Sequence, residues 1–119
     1  MSVRAYQPNA DLAADPRDIE YQAFGIVIHK LTTAKTHAEL AEAAHMNTRL
    51  WTALCADLGH PDNKLPNELK AQLISLGIWS IRQSSKVMGG EANVDSLVKV
   101  NRDIMQGLKK PGSSETQAA

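Results

Sequence analysis

Hydrophobic positions recur at three- and four-residue spacing in four separate stretches of the chain, which is the period of an amphipathic α-helix. The first stretch opens at Pro16 and predicts a helix to about residue 34. A Thr-x-x-Glu capping box at Thr36 and Glu39 opens the second helix. We expect Gly59 to end this second helix in the left-handed conformation that helix C-termini often adopt.

The third stretch starts after Pro66 and stops at a pair of glycines, residues 89–90. Between residues 73 and 81 it is apolar around nearly its whole circumference. A helix of this kind is either central in its fold or covered by a partner. Asn93 can cap a fourth helix, whose apolar residues keep helical spacing as far as Leu108.

These stretches predict a small all-α, single-domain helical bundle of three main helices plus a shorter fourth. The joining loops are short, so we expect antiparallel packing. A chain of 119 residues suits one domain. We divide it into an irregular N-terminal segment (1–14), a helical domain (15–109) and a disordered tail (110–119), since the tail lacks a large apolar residue that could anchor it.

Charge and hydropathy narrow the classes of function. Thirteen Lys and Arg balance thirteen Asp and Glu, which argues against direct nucleic-acid binding because that affinity depends on basic side chains that neutralise phosphates. No apolar run approaches the ~20 residues of a membrane helix, and the N-terminus lacks a signal-peptide pattern. We therefore expect a cytoplasmic protein without membrane insertion. Its one cysteine, Cys55, suits a small buried position.

Catalytic chemistry is hard to place on this sequence. The four histidines are too widely spaced to suggest a metal site. Glu68 suits the positive end of a helix, and Asp62 and Asn63 suit a turn, so none of them requires a catalytic role. Ser75 has no nearby histidine to activate it. We expect no catalytic residue, no metal and no cofactor, and hence no enzyme.

Three residues on the apolar stretches admit two interpretations each. Trp51 and Trp79 are either core residues or the lining of a binding groove, where tryptophan is enriched. Asn47 interrupts an apolar stripe, so its amide needs partners. We expect those partners to be backbone groups of the connector at residues 60–65, with contact to a ligand as the alternative.

The stretches 47–54, 57–58, 61–66 and 68–79 together resemble the signature of the FlaF family of flagellar proteins. They join two Trp-containing helical segments through an unusual Pro-Asp-Asn-x-Leu-Pro connector at fixed spacing, and weaker similarity extends over roughly residues 4–109. Lys70 stands where an arginine is expected. The resemblance implies a protein that binds flagellin as a secretion chaperone and regulates flagellin synthesis alongside FlbT, a further candidate partner.

Joining the resemblance to the apolar third helix gives a hypothesis for the binding surface. Helices two and three, with their connector, would take an apolar segment of flagellin into a groove. The apolar centre of this predicted surface comprises Trp51, Leu54, Leu73 and Trp79. Its polar edge comprises Asn47, Asp62 and Asn63.

Three alternatives remain open. The protein could control translation of the flagellin message together with FlbT, without chaperoning. It could be a self-associating structural helical module. It could also be an enzyme, which would need a concave polar site that the sequence does not reveal.

Overall fold

The structure, a computed structural model, describes residues 16–107, with side chains from residue 20 onward. This part of the chain holds helices and no strand, and its elements run α1 (Pro16–Thr33), α2 (His37–Leu58), α3 (Asn67–Met88) and α4 (Asp95–Gly107). The predicted all-α fold with three main helices and a shorter fourth is confirmed. The predicted irregular segment 1–14, the tail 110–119 and Leu108 lie outside the described residues.

The capping box that opens α2 forms as the sequence predicts. Thr36 Oγ1 accepts a hydrogen bond from the backbone N–H of Glu39 over 3.1 Å. The Glu39 carboxylate in turn accepts from the backbone N–H groups of Thr36 and Lys35, over 3.1 and 2.9 Å. These bonds satisfy donors that the first turn of a helix leaves unpaired, and they fix the point at which α2 starts.

Helix α3 ends at the predicted pair of glycines, whereas α2 ends at Gly59 in a conformation other than the predicted one. Gly59 has a φ of −82°, in the right-handed region, so the expected left-handed residue at the end of α2 was wrong. Its N–H donates to the Cys55 carbonyl over 3.1 Å, which continues the helical turn without a reversal. After α3, Gly90 is left-handed at a φ of +76°, and Glu91 N–H reaches the Lys86 carbonyl over 2.8 Å. The α3 end therefore uses the glycine conformation that we expected for α2.

Helices α3 and α4 begin close to their predicted positions. Pro66 precedes the first residue of α3, and its carbonyl accepts from the N–H of Lys70 over 3.0 Å. Asn93 Oδ1 accepts from the N–H of Asp95, the first residue of α4, over 3.0 Å. Asn93 thus closes a short turn just ahead of the helix.

Helix α2 is the centre of the packing, since it lies against both α1 and α3, while α4 packs mainly on α1. Asn47 contacts Ser84 and Ser80, and Trp51 lies against Gly77, so α2 and α3 run antiparallel as predicted. The main apolar cluster joins α1, α2, the end of α3 and α4; its buried members are Val27, Ile28, Leu31, Ala43, Ala44, Val87, Leu97 and Val98.

The position of α3 decides between the two readings of its apolar circumference. Its neighbour is chiefly α2, with only slight contact to α4, and several of its large apolar side chains face solvent. The helix is therefore peripheral and not central. Among residues 16–107, no helix combines the length and apolar character that crossing a membrane requires.

Candidate functional site

The inner face of α3 is small and polar where it meets α2. Gly77, Ser80 and Ser84 are buried there, spaced three and four residues apart, and Val87 follows at the end of the helix. A Cβ atom built on Gly77 would lie 3.1 Å from Cε3 of Trp51 and closer still to Sγ of Cys55. The absent side chain therefore lets α3 approach α2 at this level.

Asn47 is the hub of a buried polar network that spans three helices. Its amide Nδ2 donates to the hydroxyl oxygens of Ser80 and Ser84, over 3.0 and 2.8 Å. Its Oδ1 accepts from Nδ2 of Asn101, on α4, over 2.7 Å. The expected structural role is thus present, but with side chains of α3 and α4 and not with the connector backbone.

Trp51 joins the same network and lies wholly in the core. Its indole Nε1 donates to Asn101 Oδ1 over 2.9 Å, and its ring packs edge-on against Phe24 with centroids 5.6 Å apart. Neither Trp51 nor Asn47 has any exposed surface. Their predicted place on a partner-binding surface was wrong, because this stripe of α2 is covered by α1, α3 and α4 at once.

The connector between α2 and α3 is organised by Asn63. Its Nδ2 donates to Asp57 Oδ2 over 3.2 Å, and its Oδ1 accepts from the backbone N–H of Leu65 over 3.1 Å. Its carbonyl accepts from Nζ of Lys70 over 2.6 Å, a single bond that an ammonium group can supply. Asn63 is therefore committed to local structure. Asp62, by contrast, is exposed and its carboxylate lies 3.7 Å from His60.

A flank of α3 beside this inner face carries two large apolar side chains that are open to solvent. Leu69 and Trp79 are 40% and 36% exposed. A shallow hollow of about 520 Å³ lies between them, lined by Ala71, Gln72, Ser75, Leu76 and Trp79. We call these five residues and Leu69 the outer α3 surface. Of the predicted site residues, it contains Trp79.

The remaining predicted apolar residues sit beside this surface. Leu54 and Leu73 are both half-buried. Because Trp51 meets Gly77 and the helices run antiparallel, Leu54 lies at about the level of Leu73. The structure thus brings Leu54, Leu73 and Trp79 to the same pair of helices, while their role in partner binding stays a prediction.

Leu69, Gln72 and Leu76 were absent from the predicted site. Their spacing with Trp79, at positions 69, 72, 76 and 79, is itself a helical stripe and could have identified them. The surrounding apolar residues hid this signal, since residues 73–81 are apolar on nearly every side and periodicity cannot then separate the inner face from the outer one.

Reactive chemistry finds little support in this geometry. Burial raises the pKa of the Cys55 thiol, which favours the neutral form over a nucleophilic thiolate. Within residues 16–107, no three His, Cys, Asp or Glu side chains cluster as metal ligands would. A second depression, of about 720 Å³, lies between the end of α1 and α4, where Lys99 and Asp103 pair with each other over 3.0 Å.

Comparison with known proteins supplies the family. Searches of curated proteins and of solved structures found no significant match. The family model described as "Flagellar protein FlaF" matches residues 2–108, nearly the whole chain and all four helices. The chain therefore belongs to the FlaF family of flagellar proteins.

Proposed function

We propose that this protein binds flagellin, acts as its secretion chaperone, and thereby regulates flagellin synthesis. Membership of the FlaF family supports a flagellar role. The single observation that carries the binding proposal is the outer α3 surface, where Leu69 and Trp79 remain exposed on a helix whose inner face is fully used. Exposed apolar groups clustered on one helix mark sites of association more often than scattered ones do.

A chaperone for flagellin has to meet a specific physical need. Before export, the terminal segments of flagellin expose apolar faces that become buried only in the filament, and these faces favour premature polymerisation. A helix laid along an apolar strip would cover such a face. The outer α3 surface supplies such a strip, with the Trp79 ring at one end and Leu69 three turns away.

The residues of the proposed surface contribute to binding in three ways: as a central aromatic contact, as flanking contacts and as buried support. Trp79 is the anchor, because large aromatic side chains contribute most to binding energy at interfaces. Half-buried Leu54 and Leu73 extend the apolar margin toward α2, and exposed Asp62 offers a polar edge at the connector. Trp51 contributes indirectly, since it holds the α2–α3 pair together from beneath.

Regulation follows from binding without contact to RNA. A protein that sequesters unexported flagellin changes its own free concentration as flagellin accumulates. FlbT or the translation machinery could then respond to the free form. The balanced charge of the chain, thirteen basic against thirteen acidic residues, favours this indirect route over direct binding of the flagellin message.

The test is a titration with monomeric flagellin followed by size-exclusion chromatography. We expect a stoichiometric complex with the wild-type chain, and Trp79→Ala to weaken it by at least about tenfold. Ile26→Ala is the matched control, because Ile26 is an exposed large apolar residue of α1, at 51%, and lies off the proposed surface. This control should leave the affinity within about twofold, since it removes only an exposed contact.

Two results would count against the proposal. If the wild-type chain formed no complex at micromolar concentrations, direct chaperoning would fail and FlbT and the flagellin message would become the partners to examine. If Ile26→Ala weakened the complex as much as Trp79→Ala, flagellin would bind, but not through the outer α3 surface. Circular dichroism of each variant verifies that helical content is unchanged.

A further inference from the structure

A second pattern runs along the most outward line of α3. Six residues follow one another at alternating four- and three-residue steps, and every one is exposed: Glu68, Gln72, Ser75, Trp79, Arg82 and Lys86. Alternating four- and three-residue steps repeat every seven positions and keep the six residues on one face of the helix. We call these six residues the heptad stripe.

The charges on the heptad stripe are separated along the helix. Glu68 lies in the first turn of α3, and Lys86 lies in the last, with Arg82 one turn earlier. None of these three side chains forms an ion pair with another described residue. A helix with the same sequence, laid alongside in the opposite direction, would set the acidic end of each against the basic end of the other.

The centre of the stripe has a matching shape. Trp79 is partly exposed, and the small residues Ser75 and Ala71 line the adjacent hollow of about 520 Å³. In an antiparallel pair whose midpoint lies between Ser75 and Trp79, each Trp79 faces the partner's Ser75. In the same register Glu68 faces the partner's Lys86. Shape and charge therefore select one common arrangement.

We propose that the heptad stripe binds a second copy of this chain, giving a two-fold symmetric dimer in which α3 packs antiparallel on the partner's α3. Each Trp79 ring fills the hollow over the partner's Ser75, and two ion pairs between Glu68 and the partner's Lys86 close the ends. The contact uses one face of one helix, so its area falls at the low end for specific interfaces and the dimer is weak.

This inference goes beyond flagellin binding, but the two share Trp79. Self-association covers an apolar side chain that would otherwise stay exposed in the absence of client, and flagellin competes with the second copy for it. Helix-dipole stabilisation alone also places an acid at the start of a helix and a base at its end. Helix-dipole stabilisation requires neither the exposed Trp79 nor any effect of charge on association. Exchanging the charges therefore distinguishes it from dimer formation.

The experiment is analytical ultracentrifugation of the purified full chain, without flagellin, from about 10 µM to about 1 mM, a range that brackets weak association. We expect the weight-average mass to rise toward a dimer. Lys86→Glu should lower the association constant at least about tenfold, since it places like charges opposite each other at both ends. Glu68→Lys combined with Lys86→Glu should restore most of the loss. Lys64→Glu makes the same charge change in the connector, away from the stripe, and should have little effect.

Trp79→Ala provides the second arm and should abolish the dimer while leaving helical content unchanged. A wild-type chain that stays monomeric at about 1 mM would overturn the proposal. So would a double charge exchange that fails to restore association. Because flagellin is absent throughout, either failure leaves the proposed flagellin binding untouched, and loss of flagellin binding would leave the dimer untouched.

Discussion

The two tryptophans of this chain occupy opposite sides of the α2–α3 pair. Trp51 has no exposed surface, donates its indole N–H to Asn101 and packs edge-on against Phe24. Trp79 is 36% exposed and borders a hollow on the outer α3 surface. The same residue type, each time among helical leucines and isoleucines, thus serves the fold in one place and is available to a partner in the other.

The difference arises from what each tryptophan faces. Around Trp51, three other helices converge, and the indole N–H and the buried amides of Asn47 and Asn101 find partners within the chain. Around Trp79, the hollow is lined by Ala71, Gln72, Ser75 and Leu76, none of which is charged. A helix flank that packs on no other helix of its own chain contributes little to the stability of the fold. The proposed intermolecular role would account for its apolar character.

Truncating the two tryptophans should give the largest contrast. Trp51→Ala removes a fully buried ring and its hydrogen bond, and we expect the free energy of unfolding to fall by about 3–5 kcal/mol. Trp79→Ala removes a partly exposed ring and should cost no more than about 1 kcal/mol. Urea denaturation followed by circular dichroism measures both. Equal losses for the two variants would contradict the division between core and surface.

Asn47→Ala should give the next largest effect. The change leaves Nδ2 of Asn101 without its acceptor, and it removes the donor to the Ser80 and Ser84 hydroxyls. Buried polar groups left unpaired cost about 1–3 kcal/mol, and we expect a loss of unfolding free energy in that range. His45→Ala, an exposed position on the same helix, is the control and should stay within about 0.5 kcal/mol. Indistinguishable unfolding midpoints for the two variants would rule out a stabilising network.

A smaller effect is expected where α3 approaches α2. Gly77→Ala gains up to about 1 kcal/mol of helix propensity, but its Cβ would collide with Sγ of Cys55 and crowd Trp51, and overpacking costs about 1–3 kcal/mol. We therefore expect a net loss of about 1 kcal/mol by thermal or urea denaturation. Cys55→Ala in the same chain removes the sulfur and should recover part of this loss. Additive effects of the two changes on the free energy of unfolding would show that the added Cβ and the Cys55 sulfur do not contact each other.

The smallest effect is expected at the capping box, where the contribution of Glu39 to stability depends on pH. Hydrogen bonds from the backbone N–H of Lys35, and then of Thr36, hold the pKa of Glu39 below its usual range. Its stabilising contribution is present above the ordinary carboxyl pKa and is lost as the pH falls through the lowered pKa of the folded state. In Glu39→Gln this part of the pH dependence should disappear, which thermal melts from neutral to acidic pH can measure. An unchanged acid dependence in Glu39→Gln would show that the pKa of Glu39 does not contribute to stability. The same variant should leave association through the outer α3 surface unchanged.

Much of the fold follows from signals local in sequence. The Thr36–Glu39 box, the proline that opens α1, the proline before α3 and the glycines after α3 mark helix ends within a few residues. The end of α2 was harder, because Gly59 stops the helix without turning left-handed. A glycine can occupy either region of conformational space, so its presence alone does not fix the geometry.

The site was less predictable, because it depends on contacts between distant residues. Asn47 finds its partners 33, 37 and 54 positions away, on α3 and α4. Residue spacing along the sequence does not predict hydrogen bonds between such distant positions. Likewise, a helix apolar on nearly every side does not reveal which flank packs on α2. Asn63 was placed on a polar edge although its hydrogen bonds serve the connector.

The most direct test of the division between the two tryptophans uses chain labelled with 5-fluorotryptophan and ¹⁹F NMR. Trp79→Phe assigns the two resonances, and unlabelled monomeric flagellin is then added at a chain concentration where the protein alone is monomeric. We predict that the Trp79 resonance shifts and becomes insensitive to exchange of H₂O for D₂O, while the Trp51 resonance stays in place. A response confined to Trp51, or flagellin binding that leaves Trp79 unchanged, would contradict the account.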